Sequence, residues 1–413
     1  MQNNDLARIA AQVDDGCRDA FARIERVAQV NSEKVLGAFR KNRVADAMFA
    51  GTTGYGYDDI GRDTLDKIYA DVFDAEDALV RIQFVNGTHT IACALFGVLR
   101  PGDTLTSLTG APYDTLQSTI GIAGNYPGSL ADFGVHYREV AMTDGGMPDL
   151  PAIRASLLET APAAVLIQRS RGYSTRAALS ISDIEEICRV VRAATPDTCI
   201  IVDNCYGEFV EECEPTYVGA DLIVGSLIKN PGGGIAPTGG YIAGRADYVE
   251  RAAMRLTAPG IGRECGSTLG NNRLLYQGFF VAPHTTAQAL KTAVFSAGLF
   301  EKLGYGVSPH AQDVRHDIIQ TISLGSEARV RAFCKGIQSG APVDSYVTPE
   351  PWDMPGYDCK VIMAAGAFIQ GASIELSADA PMRPPYMVYL QGGLTYESGR
   401  AGVLRAASEM VAK

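Results

Sequence analysis

The chain has 413 residues, more than one ordinary core accommodates, so two domains are expected. It is 46% hydrophobic and 20% charged, with 47 acidic against 36 basic residues and a formal net charge of −11; no Lys/Arg stripe interrupts that acidity, which argues against a nucleic-acid partner. No apolar run approaches the roughly 18 residues of a membrane span, the opening Met1-Gln-Asn-Asn-Asp-Leu6 is not a secretory signal, and nine singly scattered cysteines fit a reduced, cytoplasmic protein better than a disulfide framework.

Residues from about 15 to 42 read as helix, with Phe21, Ile24, Val27, Val30, Val35 and Phe39 near helical spacing. This segment precedes any strand and suits an arm packed on a partner subunit. A loop over 51–62 then opens into a helix over 63–73, with Asp63 as its N-cap. Strand-like runs follow at 78–85, 103–108, 163–168, 199–203, 221–224 and 241–243, and helical runs at 90–99 and 183–194. Short apolar strands separated by helices predict an α/β fold with a mostly parallel central sheet covered on both faces. Beyond about 290, helices such as 328–337 mix with strands such as 373–377 and 386–390, a smaller C-terminal α/β domain. The expected division is a helical arm over 1–50, a large domain over 51–290 and a small domain over 291–413.

The chemistry concentrates around Lys229, in Gly225-Ser-Leu-Ile-Lys-Asn-Pro-Gly-Gly-Gly234. Most loop lysines are solvated, but this loop is apolar before the lysine and glycine-rich after it. An amine in such a pocket can attack an aldehyde and form an imine. Asp203 ends another apolar strand, and ligands on open α/β sheets bind beyond such strand ends. A buried carboxylate needs a cationic or hydrogen-bonding partner, and the protonated ring nitrogen of pyridoxal phosphate (PLP) is one. Gly87 and Thr88, at a strand-to-helix turn, offer a phosphate the N-terminus of a helix, and Ser226 offers a hydroxyl. Tyr113 follows the 103–108 strand, where an aromatic could stack on the ring. The 51–62 loop is no dinucleotide loop, since no strand precedes it; Tyr55, Tyr57 and Arg62 there suit reaching a phosphate across a dimer interface. The five histidines lack metal-ligand spacing, so no metal is expected.

Together these residues resemble fold-type I (aspartate aminotransferase-like) PLP enzymes of the cystathionine/methionine γ-lyase superfamily. More narrowly, the chain resembles the methionine γ-lyase-like or "aluminium resistance" family, in GYGYDDIGRDTLDKIYADVF (54–73), PYDTL (112–116), VDNCYGEFVEE (202–212), GSLIKNPGGGIAPTGGYIAG (225–244) and QGGLTYE (391–397). The resemblance implies PLP as cofactor, with Lys229 as its Schiff-base lysine and later the base that moves protons. It pairs Asp203 with the ring nitrogen and puts Gly87, Thr88 and Ser226 on the phosphate. Tyr113 would stack on the ring and protonate a leaving group. Tyr55 or Tyr57 (Tyr57 favoured) and Arg62 would reach the phosphate of a neighbouring subunit in a homodimer or homotetramer. Arg383 would fork the substrate carboxylate, and Arg171 would contact the ring hydroxyl. Two departures are expected to border the pocket, leaving cofactor binding intact but bearing on the choice of substrate: Asn86 and Thr90 replace the family's Ser and Ala around Gly-Thr-His, and Ala177-Ala178 replaces Pro-Ser after Thr-Arg. The implied activity is elimination of a β- or γ-substituent, most readily sulfur, from an L-amino acid. Halide loss from a γ-halogenated amino acid is the alternative, and a non-catalytic PLP-binding or regulatory protein a third reading.

Overall fold

A computed structural model describes residues 3–124, 126–354 and 359–411. The helices are α1 (Asn3–Gly16), α2 (Arg18–Lys41), α3 (Ile60–Val72), α4 (Gly87–Val98), α5 (Asp114–Ile120), α6 (Leu150–Thr160), α7 (Ile181–Ala194), α8 (Ala246–Leu256), α9 (Asn272–Lys302), α10 (Glu327–Ser339) and α11 (Tyr396–Val411). The strands are β1 (Asp77–Arg81), β2 (Thr104–Ser107), β3 (His136–Glu139), β4 (Ala164–Gln168), β5 (Cys199–Asp203), β6 (Leu222–Ser226), β7 (Gly240–Gly244), β8 (Gly306–Ser308), β9 (Gln320–Ser323), β10 (Val361–Ala365), β11 (Ser377–Pro381) and β12 (Met387–Gln391). Among the described residues they form two sheets, ordered β1-β7-β6-β5-β4-β2-β3 and β10-β11-β12-β9-β8.

The first sheet is parallel except for β7, which runs against both β6 and β1. Its central strands are continuous apolar runs because both faces are covered: β5 and β6 are buried at every position. Alternate residues feed two cores. Val165, Ile167, Ile200, Val202 and Ile223 meet α3, α7 and the first half of α9 on one face. Leu166, Ile201, Leu222 and Val224 meet α4 and α8 on the other. The second sheet is antiparallel throughout and packs a third core with α1, α10, α11 and the second half of α9. α9 is about 46 Å long at the ordinary helical rise. It serves both layers, so residues 290 and 291 lie inside one helix.

Several local expectations are corrected. The helix expected over 15–42 starts at Arg18 as α2 and is preceded by α1, whose Leu6, Ala10 and Val13 pack, with Cys17, on Val294, Phe295 and Leu299. Asp14 ties it to the C-terminus, pairing with Arg400 at 2.7 Å and accepting from the Tyr396 hydroxyl. The N-cap of α3 is Asp59, not Asp63, because Asp59 Oδ1 accepts from Arg62 N at 2.9 Å. The 373–377 stretch is mostly turn, and β11 begins at Ser377. There the Glu375 carboxylate accepts from the Phe368 and Ile369 N–H groups, folding back a segment whose alternation resembles a strand.

Candidate active site

The C-terminal ends of β2, β4, β5 and β6 lie on one edge of the large sheet, with Gln168 in register with Asp203 and Asp203 with Val224. Parallel pairing makes that edge common to all of them, where ligands bind. Because β7 returns antiparallel, with Ser226 opposite Gly240, the Lys229 loop is a connector thrown over that edge. A cavity of about 570 Å³ lies there, closed on its far side by residues of the second sheet. It gathers Lys229, Asp203, Gly87, Thr88, Ser226, Tyr113, Arg171 and Arg383.

Burial alone would push the Lys229 amine down. Cys205, Tyr206, Asp203 and Tyr113 oppose this, and the net direction is up. Burial holds the Cys205 thiol and the Tyr206 phenol neutral, so Asp203 is the nearby anion that keeps the ammonium charged. Asp203 itself is pushed up by burial and pulled down by Lys229. The Lys229 Nζ lies 4.0 Å over the centre of the Tyr206 ring, a cation–π contact. Tyr206 and Phe209 have positive φ, 71° and 63°, so the chain after Asp203 is held in an uncommon conformation at the site. Behind it, buried Arg169 reaches Glu211 at 2.9 Å, Glu214 at 3.3 Å and Asn204 Oδ1 at 2.8 Å, which fixes that segment.

The residues fit PLP. The Ser226 hydroxyl is buried with no hydrogen-bond partner. Asn86 caps α4 by accepting from His89 N at 2.9 Å. The Gly87 and Thr88 N–H groups precede the first intrahelical bond, as at any helix start. A Cβ at Gly87 would enter the space beside Ser226 and Cys205, 3.5 and 3.7 Å away. An anion thus has donors, a helix N-terminus and room. The Tyr113 hydroxyl is 3.1 Å from Thr88 Oγ1, and the Tyr113 N–H donates to Gln168 Oε1 at 3.0 Å. Burial, then Asp203, pushes the Tyr113 phenol up, so it keeps its proton.

Arg171 is buried; its Nη1 makes long contacts, 3.3 to 3.4 Å, to Ser308 and Thr321, and its Nε has no partner. Tyr55, Tyr57 and Arg62 do not line the cavity of this chain. The two tyrosines stack 5.5 Å apart and are 74% and 58% exposed. Arg62 is buried beneath them, donating to the carbonyls of Gly56, Gly266 and Glu264 and to Asp63. In this chain it clamps the tyrosine loop. Of the departures, Asn86 lines the cavity while serving as a helix cap, a role Ser fills equally well. Thr90 instead bonds the Asn86 carbonyl at 3.0 Å, and neither it nor Ala177 and Ala178 lines the cavity. Sequence reasoning missed Gln168 and Tyr206, which the strand ends at 168 and 203 signalled. It also missed Ser373, Ser377, Asp379, Tyr389 and Gln391, which no local motif marks.

The whole chain has close relatives. The model of the family "Methionine gamma-lyase" matches residues 6–411. The uncharacterized protein YnbB of Bacillus subtilis is 49% identical over 409 residues, covering 99% of this chain and 97% of that protein. The crystal structure of a carbon-sulfur lyase involved in aluminum resistance from Clostridium novyi NT superposes with a TM-score of 0.95 at 50% identity, covering 98% of this chain and 96% of that one. At the level of fold alone, the pyridoxal-5'-phosphate dependent protein YhfS of Escherichia coli matches with a TM-score of 0.64 at 18% identity, over 94% and 97% of the two chains. With a lysine and a buried aspartate at neighbouring strand ends and the start of α4 beside them, the chain belongs to the methionine γ-lyase family of fold-type I, PLP-dependent proteins.

Proposed function

We propose that this protein is a carbon–sulfur lyase that breaks a Cβ–S or Cγ–S bond of an L-amino acid. The observation that carries the proposal is the set of buried, unfinished contacts around Lys229. Among the described residues Asp203 has no cation beside it other than that lysine and the Ser226 hydroxyl has no partner, while α4 presents N–H groups to the same space. PLP bound there supplies an electron sink for charge developing at the substrate Cα. Asp203 would hold the positive end of the cofactor ring, and the Gly87, Thr88 and Ser226 groups would hold its phosphate. With PLP bound, the Lys229 amine would take the Cα proton and return it at a neighbouring carbon. Tyr113, held neutral, has a proton to give the departing sulfur. Ile228, Ile319, Met354 and Met363 line the cavity and limit the water that reaches the reacting carbons. Arg171 and Arg383 offer the substrate carboxylate a guanidinium. The exposed Tyr55–Tyr57 loop is proposed to dock on a second copy of the chain and complete its phosphate site.

The overall change adds water to the amino acid and releases a thiol, ammonia and an oxo acid. The test is a panel of S-substituted cysteines and homocysteines with γ-chloro amino acids as controls, scored for thiol, halide, ammonia and oxo acid. Stoichiometric thiol and oxo acid are expected from at least one sulfur series. PLP binding with no turnover on any member would reject the lyase and leave a cofactor-binding protein.

A further inference from the structure

A second cavity, of about 230 Å³, lies between α2, the middle of α9 and the loop from β8 to β9, and shares no lining residue with the first. Its floor is apolar, built from Ile24, Val27, Val210, Leu290 and Val294. Its charged groups are Arg23, Arg26 and Arg315 against Glu212 and Asp313, which leaves one positive charge over. Arg315 is 5% exposed. Its Nη2 donates to Gln320 Oε1 at 2.6 Å, while Nε and Nη1 are buried with no hydrogen-bond partner. Burial draws the guanidinium down to about 10, Asp317 favours its charge and Arg171 opposes it, so it is charged at neutral pH. Among the described residues no carboxylate pairs with it. Asp317 is occupied by the Ser170 hydroxyl and the Ile319 N–H, and Asp313 accepts from His310 N at 2.7 Å. A buried guanidinium with two idle donors is costly alone, and its donors match a carboxylate.

The same cavity is joined to the reacting centre by packing. Ile24, Val210 and Leu290 of its floor belong to a small apolar cluster with Ile318, Ile374 and Tyr206. Lys229 stands over the Tyr206 ring. Between Tyr206 and Val210 the chain is held at positive φ at Tyr206 and Phe209. Close-packed side chains pass a displacement on rather than absorb it, so a change at Val210 reaches the ring beneath the lysine.

We propose that this cavity is an effector site for a small monocarboxylic acid with an apolar tail, and that its occupancy is felt at Lys229 through Tyr206. The cavity is smaller than the roughly 300–1,000 Å³ of drug-sized sites, so the ligand is small. The single excess positive charge calls for one negative charge, and the floor for a hydrocarbon tail. The site stands whether or not the chemistry at Lys229 is sulfur elimination. The experiment titrates hexanoate and its neutral isostere hexanamide into PLP-loaded wild type, R315M and V27W, reading binding by calorimetry and the cofactor by its visible band. V27W places an indole in the second cavity and leaves the lining of the first unchanged. Wild type should bind hexanoate about tenfold or more tightly than hexanamide, the value of one charge-assisted hydrogen bond. R315M should bring the two affinities together, and V27W should abolish both. Hexanoate should shift the visible band of wild type and not that of V27W. If either variant does not fold, the other and the wild-type ratio decide. No detectable hexanoate binding, a wild-type ratio near one, or binding that survives at full strength in folded V27W overturns the site. Binding with an unshifted band overturns its coupling to Lys229.

Discussion

Lys229 illustrates how little a residue's type says without its surroundings. In solution its amine is charged; in the cavity burial opposes that charge and Asp203 restores it. K229A is expected to lose the yellow colour of the lysine-linked cofactor and to reduce turnover by about 10³-fold or more. Absorption spectra and single-turnover assays check the two effects separately. Retained colour with full activity would remove Lys229 from the centre of the site. Y113F should leave the colour but lower kcat by roughly 10²-fold through loss of a proton donor. A fall confined to KM would show instead that Tyr113 only positions the substrate. Asp203, Ser226 and the Gly87–Thr88 turn were all legible in the sequence, because each sits where a strand ends or a helix begins. Asp379 was not, since nothing in Ser377-Ala-Asp-Ala-Pro381 distinguishes a cavity wall from any other strand.

At the scale of elements, the Lys229 loop depends on a close approach as well as on the positive φ of Gly233 and Gly234. A Cβ at Gly232 would collide with the Leu227 carbonyl oxygen and press on Ala236. The turn Lys229-Asn-Pro-Gly-Gly is closed by Gly232 N donating to Lys229 O at 3.2 Å. G232A should therefore displace Lys229, weakening cofactor retention on dialysis and destabilising the protein by about 1–3 kcal/mol. Unchanged PLP affinity and melting temperature would show that the loop relaxes freely. Helix boundaries were read less well than helix existence. The cap of α3 expected from the sequence, Asp63, lies four residues late. Asp59 is selected because its carboxylate also accepts from Thr52, Thr268 and Asn272, two of them far along the chain.

At the scale of the whole molecule, two sheets enclose a cavity and α9 spans the cores of both. A buried carboxyl beneath the site gives the fold its own pH dependence. Glu208 is fully buried, accepts from the Tyr241 hydroxyl at 2.9 Å, and is pushed by burial up to about 8. Its proton is thus held in the folded state and released on unfolding. The stability this contributes is complete below the ordinary carboxylate range near 4.5 and is lost as pH rises through about 8. E208Q, which cannot ionise, should be more stable than wild type at pH 9 relative to pH 5, by roughly 2 kcal/mol. Urea unfolding of both proteins across that range checks it, and parallel curves would place the proton elsewhere.

The order of apolar strands and helices, the lysine after β6 and the aspartate ending β5 are properties of the linear chain. Hydrophobic runs and turn chemistry act over a few residues, so they determine a parallel sheet, an edge and a cofactor site on it. What faces that edge was decided only by the tertiary structure. The second sheet and the turn before it bring Ser373, Ser377, Asp379 and Gln391 to the cavity from far along the chain, and their burial exists only once the sheets have packed. The cofactor is therefore legible in the sequence, while the wall that would select the substrate is a product of the fold.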